Sequence, residues 1–187
     1  MKTEKHPFQP FLPDGARILF LGSFPPQPHR WCMPFYYPNW INDFWRIMGI
    51  IFYGDRDRFC VQVEKRFDED AIREFCAREG LAFYDTACEV RRLRDNASDA
   101  FLEVIQATDI PALLRQIPDC HTIVTTGEKA SSLVAEWLGC RVPAVGTFVD
   151  TTDFRFWRMP STSRAYPLPL ERKTEEYRKL FQKMTKN

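Results

Sequence analysis

Three turns that follow predicted strands carry most of the side chains that could do chemistry in this 187-residue chain. The first reads Gly-Ser-Phe-Pro-Pro at 22–26, where glycine lets a ligand approach the backbone and the prolines stiffen the loop. The second, Thr-Thr-Gly-Glu-Lys-Ala at 125–130, opens a helix whose first amides suit a phosphate or a carbonyl. The third, Met-Pro-Ser-Thr-Ser-Arg-Ala-Tyr at 159–166, offers three hydroxyls and an arginine to backbone phosphates. Together these turns indicate a cleft for a base and its phosphates.

Each turn also has an ordinary structural explanation. The first could be a simple turn, and the third a hydroxyl-rich turn. The second could be a helix start in which Glu128 is favoured by the helix dipole. The dinucleotide motif GxGxxG and the phosphate loop GxxxxGK are both absent. The sequence therefore excludes these two motifs and leaves a different kind of site open.

Polar residues beside the turns are further candidates. Asn42 could hydrogen-bond a base edge, a sugar or a water, although either Asn42 or Asn39 could instead cap the following helix. The aromatic loop at 36–40 could form a platform for a flat base. Asp85 ends a predicted strand, which makes its carboxylate a second candidate for a catalytic group.

Charged residues elsewhere are weaker candidates. Arg91, Arg92 and Arg94 could follow a nucleic-acid strand, although such a cluster is more often a solvated surface. Asp43 and Asp153 are possible acids. None of the three histidines has an obvious partner in the sequence: His6, His29 and His121.

Strands and helices in alternation must position these side chains. Four apolar runs predict buried strands at 17–22, 81–85, 121–126 and 154–159. Five helical faces accompany them: Ile41, Phe44, Trp45 and Met48; Ile72, Phe75 and Cys76 before Gly80; Ile110, Leu113, Leu114 and Ile117 after Asp109; Ala130, Leu133, Val134, Trp137 and Leu138; and Tyr177, Leu180, Phe181 and Met184. This alternation predicts a mostly parallel sheet covered on both faces. Ligands of such sheets bind at the carboxyl ends of the strands.

Composition limits the class of protein. A hydrophobic content of 44% and a charged content of 27% are typical of a globular domain. We expect one domain over 1–187, with the proline-rich segment 1–15 on its surface. A net charge of +1 lacks the basic excess of most nucleic-acid binders, although a local basic face would suffice. No apolar run predicts a membrane span or a signal peptide, so we expect a cytoplasmic monomer with no membrane partner.

The six cysteines indicate neither a metal site nor a disulfide framework. They form no CxxC pair, and no histidine lies at zinc-ligand spacing from them. We expect reduced, buried thiols and no metal or other cofactor, with an iron–sulfur cluster from distant cysteines as the remaining alternative.

Four blocks in order resemble the uracil-DNA glycosylase superfamily, closest to its mismatch-specific and hypoxanthine-DNA glycosylase branches. They are GSFPP at 22–26 with NDFW at 42–45, GLAFYDTACEVRR at 80–92, TTGEKA at 125–130 and MPSTSRAY at 159–166. The resemblance implies a three-layer α/β/α sandwich with a central, mostly parallel four-stranded sheet. It also implies a monofunctional DNA glycosylase, which hydrolyses the N-glycosidic bond of a deaminated base, hypoxanthine or uracil, flipped out of DNA.

The resemblance assigns roles to individual residues. Gly22, Ser23, Phe24, Pro25 and Tyr37 would form the base pocket. The residues that would contact DNA are Thr126, Gly127, Lys129, Ser161, Thr162, Ser163, Arg164 and Tyr166.

One position departs from the mismatch-specific branch. Phe24 stands where that branch carries an asparagine that positions the attacking water. The hypoxanthine-type branch lacks that asparagine too, so Asn42 is the first candidate for the group that positions water or base, and Asp85 the second. A catalytically inactive DNA-binding member of the fold and a nucleoside hydrolase are the alternative functions.

Overall fold

Ten strands and five α-helices make up the part of the chain that the computed structural model describes, residues 3–93 and 101–184. The strands are β1 (Thr3–Lys5), β2 (Ile18–Gly22), β3 (Cys60–Val61), β4 (Arg66–Phe67), β5 (Leu81–Asp85), β6 (Ala87–Arg92), β7 (Leu102–Ala107), β8 (Thr122–Thr126), β9 (Thr147–Asp150) and β10 (Arg155–Met159). The helices are α1 (Phe44–Tyr53), α2 (Glu69–Glu79), α3 (Ile110–Gln116), α4 (Glu128–Leu138) and α5 (Leu170–Met184).

The central sheet has five strands in the order β5-β2-β8-β10-β9. Four of them are parallel neighbours and correspond to the four predicted strands. The expected number of four was wrong, because β9 adds an antiparallel edge strand beside β10. Its side chains are exposed or only half-buried, so no apolar run marks it in the sequence. The predicted α/β class with a mostly parallel sheet is confirmed.

Helices cover both faces of this sheet, because alternate side chains of a strand point in opposite directions. Phe20 of β2 and Phe83 of β5 stack on each other, and both contact Phe44 of α1. On the opposite face, the Thr125 hydroxyl of β8 lies 2.8 Å from that of Ser131 in α4. The result is the expected arrangement of helix, sheet and helix layers.

Local capping fixes where several helices begin. The side chains of Asp68 and Asp109 accept hydrogen bonds from the amides of Ala71 and Ala112, at 3.1 and 2.9 Å. The prediction for the first helix was wrong at its start. Helix α1 begins at Phe44, and Ile41 lies half-exposed in the preceding turn.

A second, antiparallel sheet in the order β1-β6-β7 was not predicted. Its first strand belongs to residues 3–12, here called the N-terminal arm. The arm pairs with β6 through β1, and Phe11 then pairs with Phe83 of the central sheet. The expected surface position of 1–15 is therefore incomplete, because the side chains of His6 and Phe8 are buried. The arm joins the two sheets.

No helix within residues 3–93 and 101–184 combines the length and the apolar character needed to cross a bilayer.

Candidate active site

A cavity of about 160 Å³ opens at the carboxyl ends of β2, β5 and β8. This volume is below the roughly 300–1,000 Å³ of sites for drug-sized ligands and suits a smaller group. Five stretches of chain line it, together with Phe8 and Asn42: 22–26, 36–39, 83–85, 126–127 and 161–162. All three turns singled out in the sequence therefore meet at one edge of the sheet.

Gly22 and Asp85 lie side by side at the ends of β2 and β5. A Cβ atom on residue 22 would lie 2.5 Å from Oδ1 of Asp85, far inside van der Waals contact. The Gly22 carbonyl also accepts two hydrogen bonds from Thr86, from its amide at 2.8 Å and its hydroxyl at 3.1 Å. Glycine is thus required here, because the carboxylate occupies the space of a side chain.

Asp85 is paired with His6 of the N-terminal arm. Nε2 of His6 lies 2.8 Å from Oδ2 of Asp85, and the His6 side chain is only 2% exposed. The imidazole also contacts the rings of Tyr84 and Phe24, with centroids 4.5 and 5.3 Å away. Sequence reasoning missed this residue, because 79 positions separate the partners and β1 is a polar strand of three residues.

Arg92 contacts Phe24 and Pro25 inside the protein. Nη2 of Arg92 donates to the Pro25 carbonyl at 2.7 Å, and Nε donates to the carboxylate of Glu4 at 3.0 Å. The Arg92 side chain is 7% exposed, and its guanidinium lies 5.6 Å from the Phe24 ring centroid. This overturns both interpretations of Arg92, as a solvated residue and as a contact to nucleic acid.

The other two arginines of the predicted cluster are Arg91 and Arg94. Arg91 forms a 2.9 Å ion pair with Glu103 on β7. Arg94 lies outside the described residues.

Asn42 lies at the cavity wall, and its side chain contacts the first residue of α1. Its Oδ1 accepts a hydrogen bond from the Phe44 amide at 2.9 Å. This contact fixes the side chain, so that its amide nitrogen is left to donate elsewhere. Within residues 3–93 and 101–184, Nδ2 of Asn42 has no hydrogen-bond partner. Asn39 makes a similar local contact, accepting from the Ile41 amide at 3.1 Å.

Tyr37 forms an aromatic wall of the cavity. It has a φ of 52°, a strained backbone for a residue with a side chain, and its ring stacks on Phe44 at 3.9 Å. Its hydroxyl lies 3.3 Å from Oγ1 of Thr126. Thr126, expected to contact DNA, is therefore part of the cavity wall.

The tyrosine hydroxyls around the cavity stay protonated. Burial raises the pKa of Tyr36, Tyr37 and Tyr84 above its usual value, and the charge of Asp85 raises each further. The Tyr36 hydroxyl donates to the Gln9 carbonyl of the arm at 2.9 Å.

The loop at 161–166 divides into an inner and an outer part. Thr162 is buried in the cavity wall, and its carbonyl accepts from the Asp43 amide at 3.0 Å. Its expected contact with a DNA phosphate is not supported by this position. Ser163 and Arg164 are exposed beyond it, and Ser161 and Tyr166 are half-buried.

A buried ion pair anchors this loop to α1 and α5. Nζ of Lys173, whose side chain is 1% exposed, lies 3.0 Å from Oδ2 of Asp43 and donates to the Ser163 carbonyl at 2.7 Å. Nε of Arg164 lies 3.4 Å from the other Asp43 oxygen. Asp43 is therefore a structural residue. Asp153, the other weak acidic candidate, is exposed at the opposite edge of the sheet.

The turn before α4 supplies Gly127 to the cavity, with a φ of 97° that favours glycine. Lys129 of the same turn is half-buried, and its ammonium donates to the Leu102 carbonyl on β7. Lys129 therefore ties α4 to the second sheet, and this contact competes with the expected role in DNA binding.

The described residues, 3–93 and 101–184, contain no group of three or more His, Cys, Asp or Glu side chains placed to hold a metal ion. All six cysteines are free thiols.

Comparison with known proteins finds a structural match. No protein-family model and no curated protein matches the chain. Among solved structures, it is similar to the solution NMR structure of a Methanosarcina acetivorans protein provisionally described as a uracil-DNA glycosylase. The two are 20% identical, with a TM-score of 0.65, over 98% of this chain and 99% of the other. The likeness therefore extends over both chains and shows a shared fold.

Proposed function

We propose that this protein is a monofunctional DNA glycosylase, which hydrolyses the N-glycosidic bond of a deaminated base flipped out of DNA. Hypoxanthine and uracil are the proposed bases. One observation carries the proposal: Asn42 and Asp85 meet in a cavity of about 160 Å³ at the carboxyl edge of a parallel sheet. Such a cavity suits a single base and is too small for a base pair, so the base must leave the duplex.

The walls of the cavity suit a flat aromatic ligand. Tyr37 and Phe24 offer ring surfaces, and Gly22 lets a ligand approach the end of β2. The position of Phe24 also gives it a structural role, since it packs against His6 and Arg92. By the sequence resemblance, this ring stands where the mismatch-specific branch carries an asparagine.

Asn42 is the proposed group that positions the base or the attacking water. Its Oδ1 is fixed by the Phe44 amide, so Nδ2 is held ready to donate to a base carbonyl or to water oxygen. Donation to a base carbonyl would stabilise the negative charge that the departing base acquires.

Asp85 is the proposed second catalytic group. Cleavage leaves positive charge on the sugar, which a carboxylate at the cavity would stabilise. The same carboxylate would accept a hydrogen bond from the attacking water. The water oxygen then bonds to C1′ of the sugar and gives up a proton, while the bond from C1′ to the base nitrogen breaks. Its electron pair leaves with the base, which takes up a proton.

The rim of the cavity is the proposed DNA-binding surface. Ser161, Ser163, Arg164 and Tyr166 lie on the loop that follows β10, and the Gly127 turn follows the neighbouring strand β8. Hydroxyls, backbone amides and an arginine are the groups that commonly bind DNA phosphates. The loop is held by Asp43 and Lys173 and so presents these groups on a rigid base.

A panel of oligonucleotides tests the proposal, each carrying one uracil, hypoxanthine, xanthine or mismatched thymine. Wild-type protein in excess should give abasic sites, seen as strand breaks after alkali, on at least one deaminated base. Asn42→Ala should slow this by about 10²–10⁴, the usual contribution of one acid–base group. Absence of abasic product on the whole panel would refute it.

Two further measurements separate the alternative functions. Salt-dependent DNA binding without product would indicate an inactive DNA-binding member of the fold. Turnover of free inosine or uridine at rates above those for the oligonucleotides would indicate a nucleoside hydrolase.

A further inference from the structure

His6 is a buried ionisable side chain in contact with Asp85, and the proposed mechanism gives it no role. It comes from the N-terminal arm, where its backbone amide donates to the Cys88 carbonyl of β6 at 2.7 Å. The ring is packed among Phe8, Phe24, Tyr36 and Tyr84. A polar ring in such surroundings is costly unless its nitrogens are hydrogen-bonded.

The two ring nitrogens have different surroundings. Nε2 faces Oδ2 of Asp85 at 2.8 Å. Nδ1 faces both main-chain groups of Phe8, with the amide nitrogen at 3.1 Å and the carbonyl oxygen at 2.9 Å. A neutral ring accepts from the Phe8 amide at Nδ1, and a protonated ring donates to the Phe8 carbonyl. In both states Nε2 carries a proton and donates it to Asp85.

This contact leaves the second Asp85 oxygen for the cavity. Oδ1 lies against the Cα atom of Gly22, where no side chain intervenes. Among residues 3–93 and 101–184, no donor is hydrogen-bonded to Oδ1. One carboxylate oxygen is thus held by His6, while the other lies beside Gly22 in the cavity lining.

We infer that His6 is a positioning residue for the proposed glycosylase reaction: it holds Asp85 as an acceptor-only carboxylate with Oδ1 turned into the cavity. The inference rests on the proposed function. It assigns the N-terminal arm to the active site, because the arm supplies the hydrogen-bond donor that orients a catalytic group. A protonated Asp85 would be a weaker hydrogen-bond acceptor, and a rotated one would no longer direct Oδ1 at the attacking water or the base.

Single-turnover kinetics on hypoxanthine- and uracil-containing duplexes test the inference. His6→Phe keeps an aromatic ring and removes the donor, and should lower the rate about 10–100-fold, the factor that a hydrogen bond to a charged group provides. His6→Gln retains a donor and should restore most of the rate. His121→Phe makes the same change at an exposed histidine on the opposite edge of the sheet and should match wild type.

A double-mutant cycle separates positioning from general structural support. If His6 acts through Asp85, then His6→Phe costs nothing more once Asp85→Ala has been made. The half-saturating DNA concentration should change less than about threefold in each variant, since the pair does not contact the phosphates. Equal losses in His6→Phe and His6→Gln, or a full additional loss in the double variant, would overturn the inference.

Nitrogen-15 NMR of the histidine rings tests the same contact without activity. The His6 ring should carry a proton on Nε2 in the wild type, and Asp85→Ala should change that resonance. A ring protonated only at Nδ1 would overturn the inference, whether or not the protein excises a base. Absence of excision by wild type with the Nε2 proton present would instead refute the proposed function.

Discussion

The parallel sheet and the N-terminal arm meet at the same cavity, but they are built in different ways. The strands β2, β5 and β8 are buried apolar runs that end beside one another and place Gly22, Asp85 and Thr126 at the edge. The arm is polar and short, and it holds its place by pairing with β6 and by the buried side chains of His6 and Phe8. The edge that carries the candidate site is thus built from regular strands and completed by a short segment from the chain's N-terminal part.

The largest effect is expected inside the parallel-sheet region, from Lys173→Met. The change removes the cation from a buried pair and leaves Asp43 with only the longer contact to Arg164. Unfolding free energy from urea titration should fall by about 4 kcal/mol, because an uncompensated buried charge is costly.

Two variants serve as controls for this prediction. Lys179→Met breaks an exposed pair with Glu176 and should cost less than about 1 kcal/mol. Asp43→Asn combined with Lys173→Met should recover part of the loss. Equal costs for the buried and the exposed lysine would contradict the anchoring role given to Asp43.

The variant Phe8→Ala tests whether the N-terminal arm is part of the hydrophobic core. Phe8 is buried against Trp31 and Tyr36, with ring centroids 4.8 and 5.6 Å away. Its removal should lower the unfolding free energy by about 3 kcal/mol, as for other buried aromatic residues. Gln9→Ala, at an exposed side chain whose main-chain carbonyl is retained, should change it by less than about 0.5 kcal/mol.

The result decides whether the N-terminal arm is part of the hydrophobic core. An effect of Phe8→Ala no larger than that of Gln9→Ala would mean that the arm merely covers the surface, as its composition suggests.

The smallest of the expected effects is the difference in alkylation rate between cysteines in the two regions. Burial raises the pKa of Cys120 to about 12 and also raises that of Cys76, so both are protonated at pH 8 and react only after unfolding. Cys88 is half-buried beside the arm and should be labelled first of the three. Mass spectrometry of peptides after alkylation measures the order. Labelling of Cys120 before Cys88 would reverse the expected ranking of the two regions.

The sequence predicts the parallel sheet well and the N-terminal arm poorly. The four parallel strands are marked by apolar runs, and the three turns at their ends by glycine, proline and hydroxyl residues. Strand β9 carries half-buried side chains, and β1 has three polar residues, so neither has a hydrophobic pattern to detect. Both are set by pairing with strands that are distant in the chain, which no local pattern encodes.

The residues of the candidate site also differ in whether the sequence identifies them. Asn42 and Asp85 stand next to strand ends and could be selected by position. The contacts of His6, Arg92 and Lys129 depend on which segments meet in space. Arg92 and Lys129 carry the residue type expected of DNA contacts, yet both are used inside the molecule. Charge alone therefore did not distinguish a DNA-binding residue from a structural one.

Asn42→Asp gives the most direct test of the central claim, measured as the rate of abasic-site formation on the deaminated base that wild type cleaves. Asn42 lines the cavity, and the variant keeps the oxygen that accepts from the Phe44 amide while it loses the amide donor. We predict a rate at least about 10²-fold below wild type, with a melting temperature close to that of wild type. A rate equal to that of wild type would contradict the assignment of Asn42 to the active site of a DNA glycosylase.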